Sequence, residues 1–277
     1  MQEPVLKESD FNKFSHYVYD TCGINLHEGK KQLLKARLGK ILRKKNFKSF
    51  RQYYDHVVSD ESGNELILLL DSISTNLTYF FREPAHFDFL KDRALPKLMK
   101  HGTAPRGRFM NFWSAGCSSG EEAYSIAMTV GDALNNLEDL PVRILATDLS
   151  TKVLKTASAG IYEKKKIEKM PLEKRKRYFQ RGENQWKGYF RVKRQIREKI
   201  SFRRLNFSED FCFEDQFDVI FCRNVMIYFD NSTRQALVGK FFRYLSDGGY
   251  LFIGHAESLS GLNHSFRYIQ PSVYQKA

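Results

Sequence analysis

Phe112-Trp113-Ser114-Ala115-Gly116-Cys117-Ser118-Ser119-Gly120-Glu121-Glu122 is the stretch whose reading decides the fold. It starts in an apolar run, crosses a turn of small residues and enters a stripe of Ala123, Ile126, Ala127, Val130, Leu134 and Leu137, whose spacing predicts a helix over Gly120 to Leu137. A strand that turns tightly into a helix is a unit of a doubly wound α/β sheet, which binds ligands at the carboxyl ends of its strands. The glycines are spaced GxxxG, so the dinucleotide pattern GxGxxG is not met, and Glu121 and Glu122 would repel a pyrophosphate at this helix start.

Outward from this segment, Phe109 to Trp113, Val142 to Ala146, Ile200 to Leu205, Phe217 to Cys222 and Tyr250 to Ile253 read as strands alternating with helices. A second amphipathic helix, Thr233 to Ser246, buries Leu237, Val238, Phe241 and Leu245 ahead of an Asp247-Gly248-Gly249 turn. The interval Gly160 to Lys199 breaks the alternation. It is densely basic, then passes through Tyr178-Phe179, a polar turn and Tyr189-Phe190-Arg191-Val192, which reads as an inserted hairpin subdomain.

The first eighty or so residues show helical spacing, with Phe11, Phe14, Val18 and Cys22, then Leu33, Leu34, Leu38, Ile41 and Leu42, then Leu66, Ile67, Leu69 and Leu70. Beside the second of these stripes runs a basic one, Lys30, Arg37, Lys40 and Lys44, which is either a solvated face or a binding face. The expected organisation is a helical domain over 1–75, a linker and first helix over 76–107, and an α/β domain over 108–277 with an insert at about 160–199.

A chain of 277 residues with 42% apolar content can bury a full core. No stretch approaches the ~20 apolar residues of a membrane helix, and the polar opening Met1-Gln2-Glu3-Pro4 lacks the pattern of a signal peptide, so the expected location is the cytoplasm, without membrane insertion. Cys22, Cys117, Cys212 and Cys222 have neither zinc-site spacing nor disulfide density, and no metal site is expected. A formal charge of +13 implies a polyanionic partner, which charge alone does not identify.

A nucleotide-like ligand without phosphate suits the Gly116–Gly120 turn. S-adenosylmethionine is one: its sulfonium and ammonium favour carboxylates such as Glu122, although both glutamates could instead only offset the helix dipole, the preferred reading for Glu121. Asp148 ends the next strand, where an acid accepts from a ribose diol or caps the following helix. Asn206 could read an adenine edge with Phe207 over its face, or be a turn residue. Arg223 and Asn224 stand at the mouth of the buried run Phe217 to Cys222, followed by Tyr228. Val225-Met226-Ile227 stands where many amino-group methyltransferases carry two prolines and an aromatic, which argues against a nitrogen acceptor.

Three blocks, Ser74-Thr75-Asn76-Leu77-Thr78-Tyr79-Phe80-Phe81-Arg82-Glu83, Trp113 to Glu122, and Phe221-Cys222-Arg223-Asn224-Val225-Met226-Ile227-Tyr228-Phe229, together resemble the chemotaxis receptor glutamate methyltransferases, the CheR family. The likeness runs in order from near residue 8 to the end. It implies a Rossmann-like methyltransferase sheet with an N-terminal all-helical domain and a small inserted antiparallel β-subdomain, using S-adenosylmethionine and releasing S-adenosylhomocysteine. It also implies that Asn76, Thr78, Arg82, Glu122, Asp148, Asn206, Phe207, Arg223 and Asn224 line the cofactor site, with Arg82 and Tyr228 catalytic. The partners it implies are the cytoplasmic helical region of chemotaxis receptors, docked on the basic helix of Arg37, Lys40 and Lys44, and a receptor C-terminal tail at the β-subdomain. Tail-binding members carry GxGxxxG in the subdomain loop, whereas this chain has Gly182-Glu183-Asn184-Gln185-Trp186-Lys187-Gly188; Asn184 tolerates the left-handed backbone that glycine would supply. The rival readings are a nucleic-acid methyltransferase, supported by charge and by the aromatic-basic hairpin, and a non-catalytic scaffold.

Overall fold

The computed structural model describes residues 4–73, 77–100, 109–135 and 142–277. Asn76 and the Leu137 end of the expected helix lie outside these residues. The chain divides into two compact units, one of residues 1–77 with 206–210 and 228–233, the other of 78–205, 211–227 and 234–277. Among the described residues no helix is long and apolar enough to cross a membrane.

The first unit holds α1 (Glu8–Cys22), α2 (Lys31–Lys45), α3 (Phe50–Val58) and α4 (Asn64–Ile73). Residues at spacings of three and four supply its core: Phe11, Phe14, Val18 and Cys22 from α1 and Leu34, Leu38 and Leu42 from α2 are buried. Ser49 caps α3 by accepting from the Gln52 N–H, and Asn46 closes α2 in the left-handed region at φ 59°. The later segments join this unit through a bridge between Ile24 and Phe229 and a 2.8 Å hydrogen bond from the Asn25 N–H to the Tyr228 carbonyl.

The second unit begins with α5 (Pro84–Phe89), a π-helical turn (Leu90–Ala94) and α6 (Leu95–Lys100). Then come β1 (Met110–Ala115), α7 (Glu121–Leu134), β2 (Val142–Asp148) and α8 (Thr151–Ala159). The insert follows, with β3 (Ile161–Glu163), α9 (Lys164–Ile167), α10 (Leu172–Tyr178), β4 (Phe179–Arg181), β5 (Tyr189–Val192) and α11 (Arg194–Arg197). The chain returns to β6 (Ile200–Arg204), β7 (Phe217–Cys222), α12 (Asn231–Tyr244), whose first turn belongs to the first unit, β8 (Leu245–Ile253), β9 (Phe266–Gln270) and β10 (Val273–Lys276).

The main sheet has the order β6-β2-β1-β7-β8-β10-β9. It is parallel from β6 to β8, while β10 runs antiparallel to both of its neighbours. From β1 the chain goes out to β2 and β6 on one side and returns to β7 and β8 on the other. The carboxyl ends of β1 and β7 therefore flank the topological switch point, the usual ligand position of such sheets. The apolar character of β7, buried along its whole length, follows from its place in mid-sheet.

Three local expectations are revised. The Asp247-Gly248-Gly249 turn is a bulge inside β8: Phe217 pairs with Leu245 and Val219 with Tyr250, so residues 246–249 loop out, with Gly248 at φ 76°. The insert is a three-stranded antiparallel sheet, β3-β5-β4, rather than a two-stranded hairpin. The antiparallel pair β9 and β10 extends the main sheet beyond the last expected strand.

Candidate functional site at the strand switch point

The turn after β1 is shaped by backbone that glycine permits. Gly116 and Gly120 sit at φ 89° and 94°, and a side chain on Gly116 would meet Val225 Cγ2 at 2.4 Å. The Gly116 and Cys117 N–H groups both donate to the Thr147 carbonyl at 2.8 Å, which ties the turn to the end of β2. Asp148 accepts from the Ser118 N–H at 2.8 Å through one carboxylate oxygen and from the Ser150 N–H at 2.9 Å through the other. Its carboxylate is thus held at the strand end by both adjoining loops. Ser150, rather than Asp148, caps α8, accepting from the Val153 N–H.

Glu122, Arg223 and Glu83 form the charged centre. Arg223 Nη1 lies 3.0 Å from Glu122 Oε2 and Nη2 3.1 Å from Glu83 Oε2; Nη2 also donates to the Arg82 carbonyl. The Ser114 hydroxyl donates to Glu122 at 2.7 Å. The Arg223 side chain is only 2% exposed, so its charge persists through its partners. Burial raises the Glu122 carboxyl above the ordinary carboxylate range despite Arg223. At Glu83 burial works the same way, but Arg223 with His255 and His86 outweighs it and the carboxyl is held below that range. Arg82 Nε stands a further 4.0 Å from Glu83 Oε1, so two carboxylates face two guanidinia here.

Around this centre the backbone is strained. Phe81 and Glu83, on either side of Arg82, adopt φ 55° and 57°, and Asn224 adopts 61°. Asn224 is pinned by Glu257, whose carboxylate accepts from the Asn224 N–H at 2.8 Å, the Gly254 N–H at 2.6 Å and the Ile227 N–H at 3.2 Å. The Asn224 amide also donates to Glu83 at 3.4 Å.

Glu121 has a different environment from its neighbour. It is fully buried, 2.9 Å from Lys166 Nζ and accepting from the Ser119 hydroxyl at 2.6 Å. Lys166, in α9 of the insert, also donates to the Thr78 carbonyl at 3.1 Å. Phe80 packs edge-on against Tyr162 and Phe179 of the insert, at 4.9 and 5.4 Å between ring centroids, and Ser125 Oγ accepts from the Phe81 N–H at 2.9 Å. The segment carrying Thr78 and Arg82 is therefore clamped by the insert on one side and by α7 on the other. Glu121 does more than offset a helix dipole.

Of the residues singled out in the sequence, Arg82, Glu122, Arg223 and Asn224 meet in this network through Glu83, Asp148 lies on the adjoining turn, and the half-buried Thr78 is on the clamped segment. Asn206, Phe207 and Tyr228 belong to the first unit. There the Asn206 amide donates to the Thr21 carbonyl at 2.7 Å and to Glu209 at 3.1 Å, Phe207 meets the Phe229 ring edge-on, and Lys30 lies 5.3 Å above the Tyr228 ring. Along α2, Lys40 and Lys44 are exposed, whereas Arg37 is half-buried and donates to the Ser72 carbonyl at 3.0 Å, joining α2 to α4. The sequence reading assigned no part to Glu83, Glu257 or Lys166. Glu83 lay at the end of a quoted block, but neither Glu257 nor Lys166 has a local signal, since each acts on a segment distant in the chain.

A sheet parallel from β6 to β8, whose switch point has a glycine turn without a phosphate pattern, a strand-end aspartate and paired carboxylates, has the features of a Rossmann-like methyltransferase. Residues 76–275 match the family described as CheR methyltransferase, SAM binding domain, and residues 9–74 the CheR methyltransferase, all-alpha domain. A chemotaxis protein methyltransferase of Borreliella burgdorferi is 42% identical over 98% of this chain and 95% of its own length. Chemotaxis protein methyltransferase 2 of Pseudomonas aeruginosa is 39% identical over 100% and 96%, and the chemotaxis protein methyltransferase of Escherichia coli 35% over 97% and 91%. This chain belongs to the CheR methyltransferase family.

Proposed function

We propose that the protein transfers a methyl group from S-adenosylmethionine to glutamate side chains in the cytoplasmic helical region of chemotaxis receptors, and so sets sensory adaptation. The observation that carries this reading is the Glu122–Arg223–Glu83 array, together with Asp148 at a strand end, at the switch point of a CheR SAM-binding domain. The residues present fit the cofactor: Gly116 leaves room where a side chain would clash, Asp148 stands at a strand end, where an acid can accept from a ribose diol, and Glu122 offers a carboxylate to a sulfonium or an ammonium. When bound, the cofactor supplies an electrophilic methyl group.

The chain has little proton chemistry to do. A glutamate acceptor, with a pKa of about 4.3, is ionised at neutral pH and attacks without a general base. What the protein provides is orientation of the carboxylate oxygen in line with the methyl and sulfur. In this reading Arg82 orients the carboxylate and Thr78 and Asn224 serve the cofactor, while the parts given to Asn76, Asn206, Phe207 and Tyr228 rest on the family resemblance alone. Excluding water favours a step in which opposite charges disappear.

Lys40 and Lys44, with Arg37 beside them, supply the positive face for acidic receptor helices. The insert supports a second contact: a cavity of about 380 Å³ there is lined by Lys164, Arg175, Lys176 and Arg181 around Phe179 and Phe190, a chemistry suited to an acidic, aromatic receptor tail. In this reading the site of action is the cytoplasm. The test is transfer of a labelled methyl group to receptor membranes. Release of the label by mild base is expected for a carboxyl ester; label that survives alkali would point instead to an amine or a base nitrogen, and so to the nucleic-acid reading.

A further inference from the structure

Glu83 has a second set of neighbours. It precedes α5, His86 lies in the first turn of that helix and His255 follows β8, and one potential ligand atom from each lies within 4.8 Å of the others. Glu83 Oε2 is 3.5 Å from His86 Nδ1 and 3.9 Å from His255 Nε2, and the two imidazole rings meet edge-on with centroids 4.9 Å apart. Ligand atoms about 2.0–2.1 Å from a tetrahedral ion stand roughly 3.4 Å apart, so only small shifts are needed at Glu83. The larger adjustment between the imidazoles falls on His255, whose side chain is 54% exposed and can rotate.

His86 is the independent indication. Its side chain is 1% exposed and neither ring nitrogen has a hydrogen-bond partner. Buried polar atoms are nearly always paired, and an orphan beside a carboxylate and a second imidazole is where an ion would sit. Arg223, and Arg82 at 4.0 Å from Glu83, oppose a cation here, so an ion must compete with them for the Glu83 carboxylate.

We propose that Glu83, His86 and His255 form a divalent transition-metal site of the zinc class, with solvent completing a tetrahedron. Occupancy draws Glu83 away from Arg223 and so weakens cofactor binding; this second part rests on the cofactor reading above. Two imidazoles and one carboxylate are a common zinc ligand set, with solvent in the fourth position.

The test uses the full chain without an affinity tag, stripped of metal. Titration with Co²⁺ should develop the visible absorption of a tetrahedral ion, and calorimetry with Zn²⁺ should give one site. His255→Ala, at a half-exposed position, should abolish the absorption and weaken Zn²⁺ by at least about tenfold, since even outer-shell partners of metal ligands are worth that much. His86→Gln should act alike, with circular dichroism reporting whether it folds. Absent tetrahedral absorption in the wild type, or affinity unchanged in His255→Ala, overturns the site. S-adenosylmethionine titrated with and without Zn²⁺ tests the coupling separately: a cofactor affinity that Zn²⁺ leaves unchanged overturns the inhibition, whereas no cofactor binding to the metal-free chain counts against the cofactor reading alone.

Discussion

Charge is used in opposite ways on α2 and at the carboxyl edge of the sheet. On α2 the leucines Leu34, Leu38 and Leu42 go inward, and Lys40 and Lys44 remain in water. Their charge costs the fold almost nothing and contributes little to it, which leaves it available to a partner. At the sheet edge, Arg223, Glu121 and Glu122 are taken out of water and kept only because each has a partner. Removing one member of such a set leaves a buried charge uncompensated. Buried charge therefore ties function to stability, while exposed charge separates them.

The sharpest way to break this contrast is Arg223→Met. It strands Glu83 and Glu122, and an expected loss of about 3–5 kcal/mol should lower the melting temperature by roughly 10 °C and abolish cofactor binding. A thermal midpoint that barely moves would mean the network is solvated after all. Asp148→Ala should come next: cofactor affinity in calorimetry should fall about 100-fold, equivalent to ~2.7 kcal/mol, from the loss of two charge-assisted hydrogen bonds. Equal affinity in wild type and variant would sink the ribose assignment.

Lys166→Met tests whether Glu121 behaves as its neighbour does. Lys166 is 37% exposed, so the destabilisation should be smaller, ~1–2 kcal/mol by thermal unfolding. Because Lys166 also holds the Thr78 carbonyl, KM for the cofactor should rise more than kcat falls, and Lys166→Arg should restore much of the loss. On the other side of the comparison, Lys40→Glu with Lys44→Glu should leave the melting temperature within about 2 °C of wild type, yet weaken receptor binding in a way that fades as salt is raised.

The smallest effect belongs to Asp230, lowered to about 2 by the Thr233 backbone N–H and the Tyr19 hydroxyl. A folded pKa below the unfolded one means that its stabilisation is complete above the ordinary carboxylate range, near 4, and is lost as pH falls toward 2. Asp230→Asn should therefore lower stability slightly at pH 7 and converge with wild type as pH falls toward 2, which flattens that acid limb in pH-dependent unfolding.

The parts of the fold that repeat along the chain could be read in the sequence. The apolar run Phe217 to Cys222 and the stripe of α7 carry their period locally, and the GxxxG spacing marks the turn where Gly116 and Gly120 take positive φ. The antiparallel pair β9 and β10 was less legible, because Phe266–Gln270 lies at the sheet edge with most of its length partly exposed and lacks clean alternation. The site was readable at strand ends, where Asp148, Arg223 and Asn224 break apolar runs, and unreadable at Glu83, Glu257 and Lys166.

By itself, then, the sequence determined the helical and α/β segments, the glycine turn and the family, because these rest on periods and strings of neighbouring residues. Only the tertiary structure decided that Glu122 and Arg223 share one ion pair across 101 positions, that Lys166 clamps Thr78, and that the His86 ring is buried without a hydrogen bond beside Glu83 and His255. Those relations depend on which strand ends the sheet order brings side by side and on how much water is left between them, and neither is written in any short stretch of chain.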